Sequence, residues 1–145
     1  MPHAGSLPSG VPAVLFVCEG NTCRSVMAEA LTRRRFGKNV DVSSAGLRPQ
    51  RPTDARNAIA TLKAEFGLDA SDHVPRDVRS LNLADYDHII AMDKHVAKTL
   101  KTLTSREFLV WQIEDPDDYD LSVYRQCALR INQNVARLPF AATLA

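Results

Sequence analysis

The chain has 145 residues, of which 45% are hydrophobic and 24% are charged, and its formal net charge at pH 7 is +1. These values are typical of a single globular domain and exclude an overall field that would attract nucleic acid or a membrane surface. Three cysteines are an odd and sparse set, which excludes a disulfide framework and favours a reducing compartment, the cytoplasm.

The first twelve residues are rich in proline and glycine and lack the basic and apolar regions of a secretory signal. We therefore predict a flexible N-terminal tail over residues 1–12 and a single domain over residues 13–140. The apolar runs of the sequence are far shorter than a membrane span, so no membrane partner is expected.

Four short apolar runs predict strands, and the longer segments between them have helical periodicity. In chain order we expect a strand at 13–17, a helix at 25–36, a strand at 40–44, a helix at 53–66 and a strand at 88–92. A helix after Asp93, a strand at 108–113 and a helix at 121–138 complete the prediction. Gly37 and Gly67 are predicted to end the first two helices, and Asp93 is predicted to cap the third.

Strands that alternate with helices indicate an α/β fold, with four parallel strands covered by helices on both faces. In such sheets, ligands bind beyond the carboxyl ends of the strands. Cys18 follows the first predicted strand and Asp115 follows the fourth. Both side chains are therefore expected at the same edge of the sheet.

The strongest chemical signal is the segment CEGNTCRS at residues 18–25, between a predicted strand and a predicted helix. The backbone amides of such a loop, with a helix N-terminus behind it, can surround a tetrahedral anion. Gly20 is expected to permit backbone angles closed to other residues, and Arg24 to grip two phosphate oxygens. The same positive field favours the thiolate form of Cys18, which is the nucleophile.

The remaining loop residues are predicted to support this chemistry as part of a phosphate-binding loop. Ser25 can donate a hydrogen bond to the thiolate, and Asn21 can hold the loop shape through its amide. The full predicted loop comprises Cys18, Glu19, Gly20, Asn21, Thr22, Cys23, Arg24 and Ser25. A cysteine at a strand end can also be a small buried hydrophobic residue, but the ordered polar neighbours favour catalysis.

Asp115 is the candidate general acid. Expelling an alkoxide or phenoxide from a phosphate ester needs a proton donor, and releasing the phosphoryl group from the enzyme needs an activated water. Pro116 restricts the backbone and gives this carboxylate a rigid mount. Composition alone favours a merely solvated side chain, since Asp115 is one of five acids in EDPDDYD.

The segment CEGNTCRSVMAEA resembles the signature of low-molecular-weight protein-tyrosine phosphatases, C-x-G-N-x-C-R-S-P. The resemblance implies the three-layer fold of that family and hydrolysis of phosphotyrosine-type phosphomonoesters on proteins, or of small phosphomonoesters. It also implies a phosphocysteine at Cys18, general acid catalysis by Asp115, no metal and no cofactor. Ser44 and His73 would be supporting residues, with His73 bonded to Asn21. Weaker family blocks follow in order: VSSAG at 42–46, DAR at 54–56, SDHVPR at 71–76, IIAMD at 89–93, IEDP at 113–116 and VYRQC at 123–127.

The sequence departs from the family pattern around the substrate slot. Asp117 and Asp118 occupy positions where the family has aromatic side chains, and Tyr119 follows one position later. The facing segment LRPQRP at 47–52 lacks an aromatic residue, and Asp93 and Asp115 are closer in sequence than in longer members. These departures weaken the expectation of tight phosphotyrosine binding.

Three alternative functions follow from the same residues. Thr22 resembles the protein-arginine phosphatases of this superfamily, because a hydroxyl suits a polar guanidinium better than a phenol. The segment VWQIEDP at 110–116 resembles arsenate reductases, but no cysteine lies between Cys23 and Cys127, so an external thiol would be needed. A non-catalytic anion-binding module is disfavoured by the intact set of Cys, Arg, Ser and Asp. The sequence gives no prediction of oligomeric state.

Overall fold

The computed structural model describes residues 10–116 and 120–144. Residues 1–9 of the predicted tail, and Asp117, Asp118 and Tyr119 of the predicted slot, lie outside the described residues. At Pro12 the backbone carbonyl already accepts a hydrogen bond from the amide of Asp41, at 2.9 Å.

The described residues form one four-stranded sheet and five α-helices. The strands are β1 Ala13–Cys18, β2 Asp41–Gly46, β3 His88–Ala91 and β4 Leu109–Val110. The helices are α1 Arg24–Phe36, α2 Arg56–Phe66, α3 Lys94–Leu103, α4 Leu121–Val135 and α5 Ala141–Leu144. None of the helices in these two ranges is long and apolar enough to cross a membrane.

The sheet has the strand order β2-β1-β3-β4, and every pair is parallel. The predicted α/β fold with four parallel strands is thereby confirmed. All six residues of β1 are buried, because this strand has a neighbour on each side and helices on both faces. The carboxyl ends of β1, β3 and β4 consequently lie at one edge of the sheet.

Alternate side chains of β1 enter two separate cores. One core contains side chains of β1, α1, α2 and α4, among them Val14, Phe16, Met27, Leu31, Leu62 and Ile131. The other contains side chains of β1, β3 and α3, among them Leu15, Val17, Ile89, Val96 and Leu100. Helices α1, α2 and α4, together with the short helix α5, therefore cover one face and α3 covers the other, which confirms the three layers.

The predicted C-terminal ends of α1 at Gly37 and of α2 at Gly67 are confirmed, and so is the predicted N-terminal cap of α3 at Asp93. Gly67 has a φ of 66°, a left-handed conformation that ends α2, and Gly37 has a φ of 54° after α1. The Asp93 carboxylate accepts a hydrogen bond from the Val96 amide at 2.8 Å and caps α3.

Three predicted boundaries were wrong. The fourth strand was predicted at 108–113, but β4 is only Leu109–Val110. Beyond β4, isolated backbone hydrogen bonds still connect the Trp111 amide to the Ala91 carbonyl and the Ile113 amide to the Met92 carbonyl. The segment predicted as the start of the second helix is a 3-10 turn at Pro52–Ala55. The last long helix ends at Val135 rather than residue 138, because Pro139 cannot continue it.

Candidate active site

The loop at residues 18–25 connects β1 to α1 at the carboxyl edge of the sheet. The segment that follows β2 holds the outer side of this loop through backbone hydrogen bonds. These run from Leu47 to the carbonyl of Cys18 at 3.1 Å, from Arg48 to Glu19 at 2.8 Å and from Gln50 to Gly20 at 3.0 Å. With its carbonyls engaged outside, the loop can turn amides inward toward an anion.

Hydrogen bonds around Cys18 have a defined direction. The Asn21 amide nitrogen donates to the hydroxyls of Ser25 and Ser44, both at 2.9 Å. Since the Ser25 oxygen accepts from Asn21, its own hydrogen can be donated to the Cys18 sulfur, 2.9 Å away. A donated hydrogen bond stabilises the thiolate form of the cysteine.

Asn21 also fixes the backbone of the loop. Its φ is 55°, in the left-handed region that asparagine tolerates better than most residues. Its side-chain oxygen accepts from the Arg76 amide at 3.0 Å, and its backbone oxygen lies 2.7 Å from His73 Nε2. The hydrogen bond from His73 that the resemblance implied is therefore present. Gly20, by contrast, does not adopt a positive φ, so the expectation for that glycine was wrong.

Glycines at this site provide space instead of unusual backbone angles. A Cβ at Gly46 would lie 2.9 Å from backbone atoms of Glu19, Gly20 and Asn21. No such approach occurs in real structures, so the end of β2 can contact the loop only through a glycine. Sequence reasoning missed Gly46 as a site residue, although its place at the end of a strand beside the nucleophile's strand was a usable signal.

Arg24 is buried, with only 3% of its side chain exposed. Its Nη1 donates to Asp93 Oδ2 at 2.6 Å and to the Ile113 carbonyl at 2.9 Å. Its Nη2 lies 3.7 Å from Asp115 Oδ2, and Nε has no hydrogen-bond partner within residues 10–116 and 120–144. The Nε–Nη2 edge is thus the part of the guanidinium that can bind two oxygens of an anion.

The ion pair between Arg24 and Asp93 holds both groups in their charged forms. Burial by itself would lower the pKa of Arg24, but the hydrogen bond to Asp93 and the nearby Cys18 and Asp115 outweigh it and raise the pKa. Partial burial would raise the pKa of Asp93, but hydrogen bonds from Arg24 and the Val96 amide outweigh it and lower the pKa. Sequence reasoning identified Asp93 only as a helix cap and missed this second contact.

The structure brings Cys18, Arg24 and Asp115 to one narrow cavity of about 70 Å³. Asp115 is the most accessible of the three, with 45% of its side chain exposed. The cavity is lined by Cys18, Glu19, Gly20, Thr22, Cys23, Arg24, Gln50, Asp54, Asp115 and Tyr124. A buried arginine, a cysteine sulfur and an accessible carboxylate around one small cavity can carry out nucleophilic transfer of a phosphoryl group.

The other two cysteines are poor nucleophiles in this fold. Burial, together with the nearby Cys127 and Cys18, raises the pKa of Cys23 well above its usual value. Burial raises the pKa of Cys127 to about 12. Both are therefore protonated at neutral pH. The expectation that Cys127 packs in the core is confirmed, and its buried cluster also contains Cys18 and Cys23.

The family described as low molecular weight phosphotyrosine protein phosphatase has a sequence model that matches residues 13–144. The chain belongs to this family. It is accordingly a cysteine-dependent phosphatase, and the resemblance of its loop to the family signature is confirmed.

Relatives of this phosphatase carry three different descriptions. A glutaredoxin arsenate reductase from Synechocystis sp. is 34% identical over 128 residues, covering 86% of this chain and 94% of the relative. The crystal structure of a low molecular weight protein tyrosine phosphatase from T. tengcongensis is 30% identical, with a TM-score of 0.74 and coverage of 88% and 97%. The structure of a YwlE arginine phosphatase is 26% identical, with a TM-score of 0.75, and covers 91% of this chain and 95% of its own. In that structure serine replaces a cysteine, and the active-site serine is phosphorylated.

The remaining predicted loop residues differ in what their side chains contact. The Glu19 carboxylate lies 3.2 Å from His95 Nε2 and 3.8 Å from Arg48 Nε. Ser44 accepts from Asn21 and donates to Glu29. Among the described residues, no group of three or more His, Cys, Asp or Glu side chains is arranged to hold a metal ion.

Proposed function

We propose that this phosphatase hydrolyses phosphotyrosine-type phosphomonoesters on proteins, without a metal, through a phosphocysteine at Cys18. The observation that carries the proposal is the paired arrangement of Cys18 and Arg24. The sulfur is 2.9 Å from a hydroxyl that can donate to it, and the Nε–Nη2 edge of the buried guanidinium serves the same cavity. Arg24 and the loop amides supply the positive charge that the transferring phosphoryl group needs.

In the first step the Cys18 thiolate attacks phosphorus from the side opposite the leaving oxygen. The new S–P bond forms as the P–O bond breaks, and Arg24 stabilises the equatorial oxygens. Asp115, in its protonated form, donates its proton to the leaving oxygen. The 3.7 Å between Asp115 Oδ2 and Arg24 Nη2 supports this role, because it keeps the carboxyl beside the phosphate position.

In the second step the Asp115 carboxylate accepts a proton from water, and that water attacks the phosphocysteine. The S–P bond breaks, inorganic phosphate leaves, and Cys18 returns as a thiolate stabilised by Ser25. Asp115 ends protonated and ready for another turnover. The relative with a phosphorylated active-site serine supports the covalent step in this chain, since serine there stands for the nucleophilic cysteine.

Arsenate reduction is the second candidate, favoured by the arsenate reductase from Synechocystis sp. among the relatives. Arsenate has the shape and charge of phosphate and would bind the same loop. Its reduction to arsenite takes two electrons, which Cys18 and one external thiol would supply together as their sulfurs join in a mixed disulfide. An external thiol is needed because burial keeps Cys23 and Cys127 protonated. Protein-arginine dephosphorylation is a further alternative, supported by Thr22 in the cavity and by the arginine phosphatase structure.

One rate comparison separates these candidates. The kcat/KM values of the full chain would be measured on a phosphotyrosine peptide, on a phosphoarginine peptide and on arsenate with glutathione and glutaredoxin. We expect the phosphotyrosine peptide to be hydrolysed, and Cys18→Ser to abolish that activity. A higher kcat/KM for arsenate or phosphoarginine than for phosphotyrosine would contradict the substrate assignment and support the corresponding alternative.

We also propose that the phosphatase acts in the cytoplasm as the single domain 13–140 on a phosphorylated protein or a small phosphomonoester. The need of Cys18 to remain a free thiolate supports this location, because the cytoplasm is a reducing compartment. The four-residue helix α5 packs its buried residue Ala141 into the core between β1 and helices α1, α2 and α4, so the proposed domain extends slightly beyond residue 140.

A further inference from the structure

Two arginines stand at the mouth of the catalytic cavity on the segment that follows β2. Arg48 and Arg51 lie on either side of Gln50, which lines the cavity. Backbone hydrogen bonds fix this segment on the phosphate-binding loop, from Arg48 to the Glu19 carbonyl at 2.8 Å and from Gln50 to the Gly20 carbonyl at 3.0 Å. The backbone of both arginines is therefore held beside the phosphate position.

Each guanidinium lies next to a carboxylate that itself lines the cavity. Arg48 Nε is 3.8 Å from Glu19 Oε2, and Arg51 Nη2 is 3.3 Å from Asp54 Oδ1. The two arginine side chains are 88% and 82% exposed. A protein substrate whose phosphorylated side chain enters so small a cavity must cross this rim, where it meets both guanidinium groups.

Neither carboxylate uses all the hydrogen-bond donors of its arginine, which has five N–H groups. Within residues 10–116 and 120–144, Arg48 donates no side-chain hydrogen bond and Glu19 Oε2 accepts none, so their contact is a loose ion pair. Arg51 uses Nε and Nη2 on the Asp54 carboxylate, at 3.4 and 3.3 Å. Its Nη1 group remains for a ligand.

The other side of the mouth carries the opposite charge. Asp115 lines the cavity there with 45% of its side chain exposed, and Glu114 beside it is exposed. The strand order places the segment after β2 and the segment after β4 on opposite sides of the loop. A bound peptide therefore has arginines on one side and carboxylates on the other.

We propose that Arg48 and Arg51 bind an acidic side chain next to the phosphorylated residue, so that the preferred protein substrates carry Asp or Glu beside that residue. A carboxylate matches the fork of a guanidinium, and exposed pairs of this kind contribute modestly to binding. The inference rests on the proposed phosphatase function and names the class of protein substrate within it.

The test measures kcat/KM of the full chain on two phosphotyrosine peptides that differ only beside the phosphotyrosine, with Glu in one and Gln in the other. At low ionic strength we expect wild type to prefer the Glu peptide roughly three- to tenfold, mainly through KM, and to lose most of this ratio in about 0.5 M NaCl. The double variant Arg48→Gln/Arg51→Gln should bring the ratio close to one. Arg137→Gln is the control, because this exposed arginine follows the C-terminal end of α4 whereas the cavity contacts that helix near its start, at Tyr124.

Charge reversal tests whether the contact is direct. In Arg48→Glu/Arg51→Glu we expect a peptide with Lys beside the phosphotyrosine to be hydrolysed faster than the Glu peptide. Each ratio compares two peptides on one variant, so a disturbance of the loop that slows both cancels. A wild-type ratio near one, a ratio that survives in Arg48→Gln/Arg51→Gln, or a reversed variant that still prefers Glu would overturn the inference and leave the proposed function standing. No hydrolysis of any phosphotyrosine peptide by wild type would overturn the proposed function itself.

Discussion

At the scale of single residues, the direction of each hydrogen bond under the loop determines the chemistry of the sulfur. Asn21 donates to both Ser25 and Ser44, so each serine can pass its own hydrogen onward. Ser25 can direct that hydrogen to Cys18, and Ser44 directs its hydrogen to the Glu29 carboxylate. The partly buried Glu29 carboxylate thus fixes the orientation of the Ser44 hydroxyl, which accepts from the same Asn21 amide nitrogen that donates to Ser25.

Asp115→Asn tests the assignment of the general acid. We expect kcat to fall by about 10²–10⁴-fold on alkyl phosphates, whose leaving groups need a proton, and much less on 4-nitrophenyl phosphate. Glu114→Gln, one residue earlier, is the matched control and should leave both rates unchanged. Steady-state kinetics on a series of leaving groups makes the measurement. Equal losses across the series would show that Asp115 does not donate the proton.

At the scale of secondary-structure elements, the end of β3 joins the start of α3 to the catalytic arginine. The two carboxylate oxygens of Asp93 divide these roles: Oδ1 caps α3 through the Val96 amide, and Oδ2 accepts from Arg24. A single side chain therefore couples the position of a helix to that of the guanidinium. The end of β2 makes a second such contact, where Gly46 packs against the loop backbone.

Asp93→Asn separates the two roles of Asp93, because asparagine is as good an N-cap as aspartate but carries no charge. We expect a loss of about 2 kcal/mol in the free energy of unfolding, since Arg24 stays buried without its nearer anionic partner and keeps only Asp115 at 3.7 Å. Urea unfolding at pH 7 measures it, and added inorganic phosphate should restore part of the loss. A stability equal to wild type would show that the ion pair contributes nothing.

The difference in the free energy of unfolding between wild type and Asp93→Asn depends on pH, because the pKa of Asp93 is lowered in the folded state. A carboxyl with a folded-state pKa below its unfolded value contributes stability above the unfolded pKa, and loses it as pH falls through the folded pKa. The difference between wild type and Asp93→Asn should therefore be constant above about pH 5 and shrink below about pH 4. A difference that grew toward acid pH would contradict the assigned direction.

Gly46→Ala tests the close approach between β2 and the loop. The added methyl must displace backbone that positions the phosphate, so we expect a fall of at least tenfold in kcat/KM and about 1–3 kcal/mol in stability. Gly67→Ala is the control, because its left-handed conformation costs about 1 kcal/mol on mutation at a position away from the cavity. If both variants lose stability and both keep full kcat/KM, the packing of Gly46 does not shape the loop.

At the scale of the whole molecule, the strand order β2-β1-β3-β4 assembles the site. It places β1 in the middle of the sheet, so the loop after it is flanked by the ends of β2 and β3. The nucleophile comes from the end of β1, the arginine from the start of α1, Asp93 from the turn between β3 and α3, and Asp115 from the segment after β4. Three connections, distant in sequence, therefore meet at one edge.

The sequence predicted the parts of this arrangement that are local. The loop from Cys18 to Ser25, the caps at Asp93 and Gly67, and the alternation of strands and helices all appear as short patterns. The contact between Arg24 and Asp93 spans 69 positions and depends on β3 lying beside β1, which no local pattern specifies. The positive φ of Asn21 likewise depends on tertiary bonds, here from the Arg76 amide and His73.

The most direct test of the account is detection of the covalent intermediate. Wild type, Asp115→Asn and Cys18→Ser would be mixed with excess 4-nitrophenyl phosphate, quenched rapidly, and digested for peptide fragmentation by mass spectrometry. We predict one phosphoryl group on Cys18 itself, at higher occupancy in Asp115→Asn, because the water that hydrolyses the intermediate lacks its base. Cys18→Ser should give no turnover. A phosphoryl group on another residue, or steady hydrolysis by Cys18→Ser, would contradict the assignment of Cys18 as the nucleophile.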